Sequence, residues 1–400
     1  MDADRRKEVL ATQRPDRVWP GEPLLGGWYT EEEIETVVRV IRESLDPTVG
    51  FGFICPEIVD FEAAFARYCD TADCVSINGA GTGLDMALMC LDLQPEDEVI
   101  VPSINFRASA MAVLGQGARL VMCEVDPRTF EADPSDVERR MTPHTRAILP
   151  THMNGLSAPM DDYLALAEQH PHPKYGPPKV IGDAARACGG GYRGTKIGKK
   201  GWMTVFSYHT QKLMTTLGEG GGITTDDPEA AARLRAIRQF GGADHWGTNY
   251  KMTKVQAAVG LVQVRRLDEM IAPRRQRAYE RSEMLQGLEE LTLPYEPPDC
   301  EHTFYLYTIL VPRAWAGEKR DRLVALMRDE FGVGCCIANP PVHNTVPFIQ
   351  RHTPGTELPL SDELARRLFC VAMHPLMTCE ENEYICAALW ELVERLREER

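Results

Sequence analysis

The stretch "CVSINGAGTGLDMALMCLDLQPEDEVIVPS", residues 74–103, carries the pattern that decides the fold. It begins with a short run rich in β-branched residues, passes through glycines into a segment with helical spacing, and ends in a second apolar run. Short apolar runs of this kind indicate buried strands, and the segment between them is long enough for a helix. The stretch therefore predicts a strand–helix–strand unit with parallel strands.

The same alternation continues along the chain. Seven apolar runs predict strands, at residues 74–78, 98–103, 119–125, 146–152, 179–184, 204–209 and 221–225. Four segments between the first five runs predict helices, at residues 83–93, 107–117, 134–141 and 160–170. Strands that alternate with helices indicate an α/β fold with a mostly parallel seven-stranded sheet flanked by helices. The glycine-rich segment 189–201 predicts an antiparallel excursion between the later strands.

The regions outside the alternating pattern are mostly helical. Residues 29–45 and 59–69 predict two helices, the first capped by Thr30. Its apolar face is predicted from four residues, Ile34, Val37, Val38 and Ile41. A long helix over residues 253–288 is predicted to break or bend near Pro273. Beyond it, a strand is expected at 304–312 and helices at 318–332, 362–370 and 381–399. We expect an N-terminal arm (1–30), a large domain (31–275) and a smaller C-terminal α+β domain (276–400).

Composition limits the classes of function. The 400 residues carry a formal net charge of -15, which argues against a protein that binds nucleic-acid phosphates. The twelve cysteines are scattered without a CxxC pair, so a metal site is not predicted and reduced thiols are expected. The start of the chain lacks the apolar core of a signal peptide, and no apolar run is long enough for a membrane helix. We expect a soluble, cytoplasmic protein with neither nucleic-acid nor membrane partners.

The segment after the first predicted strand, "INGAGTGL", is a candidate phosphate site. Its glycines allow close approach of the backbone, and the helix that follows presents free N–H groups to an anion. The spacing of Gly79, Gly81 and Leu84 lacks the third small residue of a dinucleotide-binding fingerprint. A tight turn between strand and helix explains the glycines equally well.

Further candidates follow other predicted strands, where ligands gather in doubly wound sheets. Phe106 could stack on a flat ring, although a core phenylalanine is the commoner case. Asp183 ends an apolar run and needs a cationic partner, either Arg186 or a protonated heterocycle, unless it caps a helix. Ser207 supplies a hydroxyl, and Lys212 supplies an amine that burial or a nearby cation would make reactive. A surface lysine is the alternative for Lys212.

Taken together, these candidates fit one ligand. A phosphate cradle, an aromatic ring for stacking, a carboxylate for a ring nitrogen and an amine for an aldehyde are the groups that pyridoxal phosphate (PLP) requires. The combination therefore predicts PLP as the cofactor.

The chain also resembles a known family. The matching segments, in chain order, are "EDEVIVPSINF", "RAILPTHMNG", "DAARACG", "FSYHTQKLMTTLGEGG", "GTNYKMTKVQAAVGLVQV" and "NPPVH". They are similar to those of the DegT/DnrJ/EryC1/StrS sugar aminotransferases, within the fold-type I PLP enzymes. The resemblance spans nearly the whole chain and implies the PLP-transferase fold with aminotransferase activity.

The resemblance implies a role for several residues. Lys212 matches the lysine that holds the cofactor covalently, and Asp183 matches the partner of the pyridine nitrogen. Phe106 matches the aromatic stacked on the ring, and Ser207 matches a phosphate ligand. Asn249 matches an asparagine that reaches the phosphate in the neighbouring subunit, which implies a homodimer with shared active sites.

The chain departs from the family pattern at several positions. The hydroxyl of the phosphate loop stands at Thr82, one place later than expected, so either Gly81 or Thr82 could bind phosphate. Arg186 stands where the family often has histidine or glutamine, near the phenolic oxygen of the cofactor. Arg107 replaces a small or apolar residue, and Lys251 replaces a common arginine. Arg107 or Arg186 could hold an anionic group of the substrate or pair with nearby carboxylates.

Four residues are candidates for the substrate site: Arg107, His152, Lys251 and His343. The resemblance implies transfer of an amino group from glutamine or glutamate to a keto-sugar or keto-cyclitol, in aminoglycoside-like secondary metabolism. Relatives that dehydrate their substrates have histidine at the position of Lys212, so the lysine favours transamination. Two alternatives stay open: a PLP-dependent synthase of an aromatic or aminoshikimate-type amino acid, and a non-catalytic PLP-binding regulatory protein.

Overall fold

The computed structural model describes residues 1–399. Thirteen strands lie within these residues: β1 (Asp73–Ile77), β2 (Glu98–Pro102), β3 (Arg119–Cys123), β4 (Thr145–Ile148), β5 (Lys179–Asp183), β6 (Gly191–Tyr192), β7 (Thr195–Lys196), β8 (Met203–Ser207), β9 (Gly221–Thr225), β10 (Cys300–Glu301), β11 (Tyr307–Leu310), β12 (Cys335–Cys336) and β13 (Leu368–Val371).

Fourteen α-helices lie within the same residues: α1 (Ala3–Thr12), α2 (Glu31–Glu43), α3 (Pro56–Cys69), α4 (Ala80–Met89), α5 (Ala108–Gly115), α6 (Pro134–Arg140), α7 (Met160–Gln169), α8 (Pro228–Arg238), α9 (Lys254–Leu285), α10 (Glu318–Asp329), α11 (Val342–Thr345), α12 (Pro347–His352), α13 (Pro359–Arg367) and α14 (Cys379–Glu398). None of the helices in residues 1–399 is both long enough and apolar enough to span a membrane.

The main sheet has seven strands in the order β1-β9-β8-β5-β4-β2-β3. Strand β9 is antiparallel to both neighbours, whereas the pairs from β8 to β3 are parallel. This arrangement confirms the mostly parallel seven-stranded sheet, and all seven predicted strands belong to it. The antiparallel excursion is also confirmed, because β6 and β7 form a hairpin beside β10 in a separate three-stranded sheet.

Helices cover both faces of the main sheet. Val99 and Val101 of β2 pack with α4, α5 and α8 on one face, and Ile100 between them packs with α6 and α7 on the other. Helices α3 and α9 cover the remainder of that second face, around Phe206 of β8. Strands buried on both faces are typical of parallel sheets, and their continuous apolar runs follow from that burial.

The C-terminal part of the chain has its own small sheet, in the order β11-β13-β12. It packs with α10 and α14 in a separate core, to which Val9 of α1 and Trp19 also belong. The expected α+β character is therefore present. The helix predicted over residues 362–370 is wrong at its end: α13 stops at Arg367, and the last residues enter β13 because they pair with β11 and β12.

The long helix α9 continues through Pro273, so of the two predicted outcomes a break is wrong, and a bend stays a prediction. Buried Met270 and Ile271 precede the proline and buried Ala278 follows it, and their packing holds the helix together although proline removes one hydrogen bond. Residue 275 lies inside α9, and the domain boundaries stay a prediction.

Helix α2 begins where the sequence predicted, with Thr30 and Glu33 in a capping box. Its predicted apolar face, however, is not buried within this chain. Ile34 and Ile41 are about half exposed, whereas Val40 is the apolar residue that the helix buries. The helix is therefore correctly located, but most of its apolar face has no covering element in the single chain.

Candidate functional site

Six strands of the main sheet end at the same edge. Because β1 and β8 are each antiparallel to β9, they run parallel to one another and to β5, β4, β2 and β3. At this edge lie the glycine-rich turn after β1, Ser207 at the end of β8 and Asp183 at the end of β5. Phe106 follows β2 after a short connection. Ligands of doubly wound sheets bind at such an edge.

The turn after β1 forms an open helix N-terminus. Helix α4 begins at Ala80 with Gly79 as its N-cap, and the first N–H groups of a helix have no acceptor within the helix. The Thr82 hydroxyl lies 2.7 Å from both Asn78 Oδ1 and the Gly79 carbonyl, so it is engaged within the turn. A Cβ placed on Gly81 would meet no atom within 4 Å. This geometry favours the backbone at Gly81 over the Thr82 hydroxyl as the phosphate contact.

Ser207 lies beside this helix N-terminus because of a close backbone approach. It pairs with Gly221 of β9. A Cβ on Gly221 would lie 3.0 Å from the Gly79 carbonyl carbon and 3.1 Å from the Ala80 nitrogen. Glycine at 221 therefore lets β9 pass the turn, and Ser207, its cross-strand partner, projects to the same face of the sheet. The Ser207 hydroxyl accepts from the His209 N–H at 3.3 Å.

Asp183 is a buried carboxylate held by neutral donors. Its side chain is only 4% exposed. Ser109 Oγ donates to Oδ2 at 2.6 Å, and the Ala185 N–H donates to Oδ1 at 3.1 Å. Arg186, one of the two predicted cationic partners, donates instead to Asn154 Oδ1 at 3.2 Å. The other predicted partner, a protonated ring nitrogen, fits a buried negative charge of this kind.

Lys212 lies close to Asp183 and has a pKa suited to a nucleophile. Its Nζ donates to the Tyr305 hydroxyl at 2.9 Å. Burial, followed by the nearby Arg186 guanidinium, lowers the pKa of Lys212 from 10.5 to about 8, although Glu22 and Asp183 oppose this shift. A lysine with such a pKa presents a free amine near neutral pH, which the attack on a carbonyl carbon requires.

Phe106 and Arg107 lie exposed beside Asp183, to which Ser109 of α5 connects them. The Phe106 ring is 55% exposed, which leaves ring surface free for stacking. The Arg107 guanidinium lies 5.8 Å from the centre of that ring. The stacking role of Phe106 and the anion-binding role of Arg107 stay predictions.

Asn249 lies next to the phosphate turn of its own chain. The carbonyl of the following residue, Tyr250, accepts from the Asn78 N–H at 2.9 Å. The Asn249 side chain itself is exposed. The predicted contact with a phosphate in a neighbouring subunit therefore stays a prediction.

Lys251 is an amine without a hydrogen-bond partner. Its Nζ is buried between the ring of Phe53, at 5.3 Å, and the ring of Phe240, at 4.7 Å. Burial, with a further effect from Arg238, lowers the pKa of Lys251. Phe53 and Phe240 are themselves exposed, so Lys251 lies under a surface formed by aromatic rings.

His152 is a core residue, and the substrate role predicted for it stays a prediction. It is 1% exposed, and its Nδ1 accepts from the Ala158 N–H at 3.1 Å. Its Nε2 would lie 2.7 Å from a Cβ on Gly182, against the backbone of β5. Burial lowers the pKa of His152 to about 3, so the ring is neutral at physiological pH.

His343 is also buried, but it borders a cavity. Its Nδ1 lies 2.8 Å from Ser103 Oγ and its Nε2 lies 3.6 Å from Asp362 Oδ1. With Asp362 and Thr353 it lines a cavity of about 380 Å³. Burial lowers the pKa of His343, and Asp362 opposes this shift. Its predicted substrate role stays a prediction.

Sequence reasoning missed three residues that contact the predicted site residues, Ser109, Asn154 and Tyr305, and a fourth, Glu22, that contacts Tyr305. Asn154 carries a local signal, because it precedes Gly155 in a turn where both have positive φ, 53° and 109°. Ser109 follows the predicted Arg107 by two residues, whereas Glu22 and Tyr305 come from distant parts of the chain. His209, for which the sequence indicated no role, lies 3.9 Å from the Glu219 carboxylate.

The residues at this edge of the sheet fit PLP. The helix N-terminus at Gly81, with Ser207 beside it, suits the phosphate, and Asp183 lacks a positive partner that the protonated pyridine nitrogen would provide. The Lys212 amine is close enough to Asp183 for the two charges to interact. These properties belong to the residues themselves and follow from their burial and hydrogen bonds.

Comparison with known proteins leads to the same family that the sequence motifs indicated. The model of the DegT/DnrJ/EryC1/StrS aminotransferase family matches residues 30–390. A GDP-perosamine synthase of Caulobacter vibrioides is 35% identical over 83% of this chain and 89% of its own length. A dTDP-3-amino-3,4,6-trideoxy-alpha-D-glucose transaminase of Streptomyces venezuelae is 34% identical over 92% of this chain and 94% of its own length.

A solved structure shows the same fold. The crystal structure of S. venezuelae DesV in complex with a ketimine intermediate is 33% identical to this chain, with a TM-score of 0.83. The match covers 91% of this chain and 95% of that one. The chain therefore belongs to the DegT/DnrJ/EryC1/StrS aminotransferase family and is a PLP-dependent aminotransferase.

Proposed function

We propose that this aminotransferase moves an amino group from glutamine or glutamate to the keto group of a sugar or cyclitol in secondary-metabolite biosynthesis. The observation that carries the proposal is the Lys212 amine, which lies near the buried Asp183 carboxylate with its pKa lowered to about 8. The two curated relatives described above are named for a GDP-linked and a dTDP-linked amino sugar, which supports a sugar acceptor.

Bound PLP would supply an aldehyde carbon and a ring that accepts electrons. Lys212 would hold the cofactor, and its freed Nζ would remove a proton from the α-carbon of the amino donor. Asp183 would keep the pyridine nitrogen protonated, and the backbone at Gly81 with the Ser207 hydroxyl would hold the phosphate. The ring of Phe106 would cover the cofactor, since its exposed surface lies at the same edge of the sheet.

The protein is proposed to act as a homodimer with shared active sites. Nine exposed apolar residues between the start of α2 and the start of α3 form the α2–α3 patch: Ile34, Val38, Ile41, Leu45, Val49, Phe51, Phe53, Ile54 and Val59. Exposed apolar patches mark interfaces. Phe53 in this patch contacts Lys251, two residues from Asn249. A second copy that covers the patch would therefore also bury the segment that the family pattern assigns to the shared site.

The proposed partners are a small-molecule amino donor and a keto acceptor, without nucleic acid. We also propose a cytoplasmic location. The twelve cysteines of the chain are free thiols in the structure, and a reducing compartment keeps thiols in that state. The proposals on nucleic acid and on location rest on the net charge and the thiol content of the chain rather than on the geometry of the candidate site.

Transfer of isotope-labelled nitrogen tests the proposed activity. The purified protein is incubated with amide- or amino-labelled donor and a panel of keto-sugars, keto-cyclitols and shikimate-type keto rings, and the products are analysed by mass spectrometry. We expect label in at least one acceptor, and a loss of about 10³-fold or more in Lys212→Ala. The matched control is Lys174→Ala, which removes an exposed lysine and leaves transfer unchanged.

Two results would contradict the proposal. Transfer at the wild-type rate in Lys212→Ala would remove Lys212 from the mechanism. Label found only in an aromatic or shikimate-type ring, with none in any sugar or cyclitol, would replace the proposed acceptor class with the alternative synthase activity.

A further inference from the structure

A segment of the N-terminal arm lies directly on the loop that carries Lys212. In this arm segment, residues 19–27, the Gly26 N–H donates to the Thr210 carbonyl at 2.9 Å. The Leu24 carbonyl accepts from the Thr210 hydroxyl at 3.0 Å. A Cβ on Gly26 would lie 2.4 Å from the Lys212 carbonyl oxygen, so the two backbones are in direct contact. The arm segment therefore forms one wall beside the reactive lysine.

The arm segment is fixed at its other end as well. The Trp19 carbonyl accepts from the Gly334 N–H at 3.0 Å. A Cβ on Gly21 would lie 2.3 Å from the Cys335 carbonyl carbon, so only glycine fits against β12. Glu22 lies between these two attachments, and its position is consequently determined by backbone contacts on both sides.

A buried arginine connects the arm segment to the rest of the site. Arg274 Nη2 donates to the Gly26 carbonyl at 2.7 Å, and Nη1 donates to the Met373 carbonyl at 3.0 Å and lies 3.4 Å from the Tyr305 carbonyl. The side chain is 1% exposed. A guanidinium can satisfy several carbonyls at once because its five N–H groups point in fixed directions. Arg274 thus holds the arm segment and Tyr305 in a fixed relative position.

Glu22 reaches the Lys212 amine through one intervening hydroxyl. The Tyr305 hydroxyl donates to Glu22 Oε1 and accepts from Lys212 Nζ at 2.9 Å. Burial raises the pKa of Tyr305 well above its usual value; Arg186 opposes and Glu22 reinforces this shift. The phenol therefore keeps its proton, donates a hydrogen bond to Glu22 and presents a lone pair to Lys212.

We propose that Glu22 and Tyr305 are positioning residues for Lys212: Tyr305 fixes the direction of the amine, and the Glu22 carboxylate favours its protonated form. The proposal rests on the proposed role of Lys212 as the reactive amine. Glu22 lies before residue 30, where the match to the family model begins.

The surroundings of Lys212 shift the pKa of its amine in opposite directions. Burial and the Arg186 guanidinium favour the neutral amine, whereas Glu22 and Asp183 favour the ammonium form. Tyr305 contributes no charge because it stays protonated. The Glu22 carboxylate therefore limits how far the pKa of Lys212 falls, and removal of its charge should let the amine become free at lower pH.

The test measures the amine directly in the full-length protein after removal of the cofactor. Trace acetic anhydride labels free amines, and mass spectrometry quantifies the peptide that contains Lys212 as a function of pH. In Glu22→Gln we expect the midpoint to move down by roughly half to one pH unit, because an opposite charge is lost near the ammonium group. Tyr305→Phe should shift it in the same direction, since the hydrogen bond to the ammonium form is lost.

Control variants separate positioning from a general loss of structure. Asp16→Asn removes an exposed carboxylate of the same arm and should leave the midpoint unchanged. Thermal unfolding of each variant confirms that the labelled protein is folded.

A Glu22→Gln protein whose Lys212 midpoint equals that of the wild type overturns the positioning role. That result would leave nitrogen transfer by the wild type, and with it the proposed function, intact. Conversely, a shifted midpoint in a protein that transfers no nitrogen would retain the positioning role and reject the proposed function. The labelling reaction requires neither substrate nor cofactor, so the two hypotheses fail separately.

Discussion

Two regions of the candidate active site differ in how completely one chain forms them. We call the first the site floor; it consists of Asp183, Ser207 and Lys212. We call the second the site rim; it consists of Phe106, Arg107, Asn249 and Lys251. Each floor residue is hydrogen-bonded within its own chain. The rim side chains are exposed, except for Lys251, whose amine is buried without a hydrogen-bond partner.

The difference follows from the positions of the two regions. The floor lies at the ends of β5 and β8 and in the loop after β8, where the core of the sheet fixes the backbone. The rim lies in connections beyond the sheet, next to the α2–α3 patch. The side chains of the site floor already have hydrogen-bond partners within one chain before the cofactor binds. The side chains of the site rim require the cofactor, the substrate or a second chain to supply their partners. The following experiments test this contrast, from the largest expected effect to the smallest.

Asp183→Asn should have the largest effect, because the floor carries the charge that the cofactor ring requires. We expect kcat to fall by about 10²–10³-fold, the cost of removing a preorganised electrostatic partner from a buried site. Steady-state kinetics with the labelled donor measure the loss. The control is Asp161→Asn, since Asp161 pairs with Arg193 and Lys200 near the surface, away from this edge. An Asp183→Asn enzyme within twofold of wild-type kcat would contradict the assignment.

The pH dependence of cofactor addition should reveal the environment of Lys212. With a pKa of about 8 rather than 10.5, the free-amine fraction rises about tenfold between pH 7 and 9 and then levels off. Stopped-flow absorbance of PLP added to the cofactor-free protein measures the rate. A rate that keeps rising about tenfold per pH unit to pH 10 would show that the pKa of Lys212 is that of an ordinary lysine.

Mixed dimers test whether the rim is shared between chains. If Asn249 acts in the partner's site, a dimer of Lys212→Ala and Asn249→Ala chains contains one intact site. Random mixing of equal amounts should then restore about a quarter of wild-type activity, because half of the dimers are mixed and each has one working site.

Each variant alone provides the control for this experiment and should stay below the mixture. No recovery on mixing would place Asn249 in its own chain's site, which its neighbour Tyr250 already touches through Asn78. Size measurement of a variant with Ile41→Asp and Phe53→Asp, both in the α2–α3 patch, checks the dimer separately: monomers are expected.

Arg107→Ala should have the smallest effect of the four, confined to substrate binding. If the exposed guanidinium contacts an anionic group of the acceptor, KM for that acceptor should rise roughly threefold to tenfold with kcat unchanged, as for an interaction equal in ground and transition states. Arg119→Ala, at the start of β3 and thus at the opposite edge of the sheet, is the matched control. An unchanged KM would remove Arg107 from the acceptor site.

The sequence predicted the sheet more completely than the elements around it. All seven strands could be located because burial on both faces requires continuous apolar runs, which are visible locally. Strand β13 was mistaken for the end of a helix, since its few residues continue the apolar spacing of α13 and only pairing with β11 and β12 makes them extended. Helix α1 was likewise not predicted, because its partner is α14, near the other end of the chain.

The floor of the site was predictable for a related reason. Asp183 and Ser207 end apolar runs and Lys212 lies in the loop after one of them, so the position of a strand end also gives the approximate position of these side chains. Tyr305 and Glu22 could not be found in this way. In the sequence, Tyr305 has the pattern of an apolar strand, and Glu22 is one charged residue in an irregular arm. Only the folded chain brings the two residues to Lys212.

Arg274 has a consequence for the cooperativity of unfolding. By bonding the carbonyls of Gly26 and Met373, it joins the N-terminal arm to the C-terminal part of the chain beside the lysine loop. Opening the arm would leave Nη2 of this buried guanidinium without its Gly26 acceptor, and an unpaired buried donor costs about 1–3 kcal/mol or more. The arm should therefore not fray independently: its amide hydrogens should exchange with solvent only in the larger unfolding event that also dissolves the cofactor pocket.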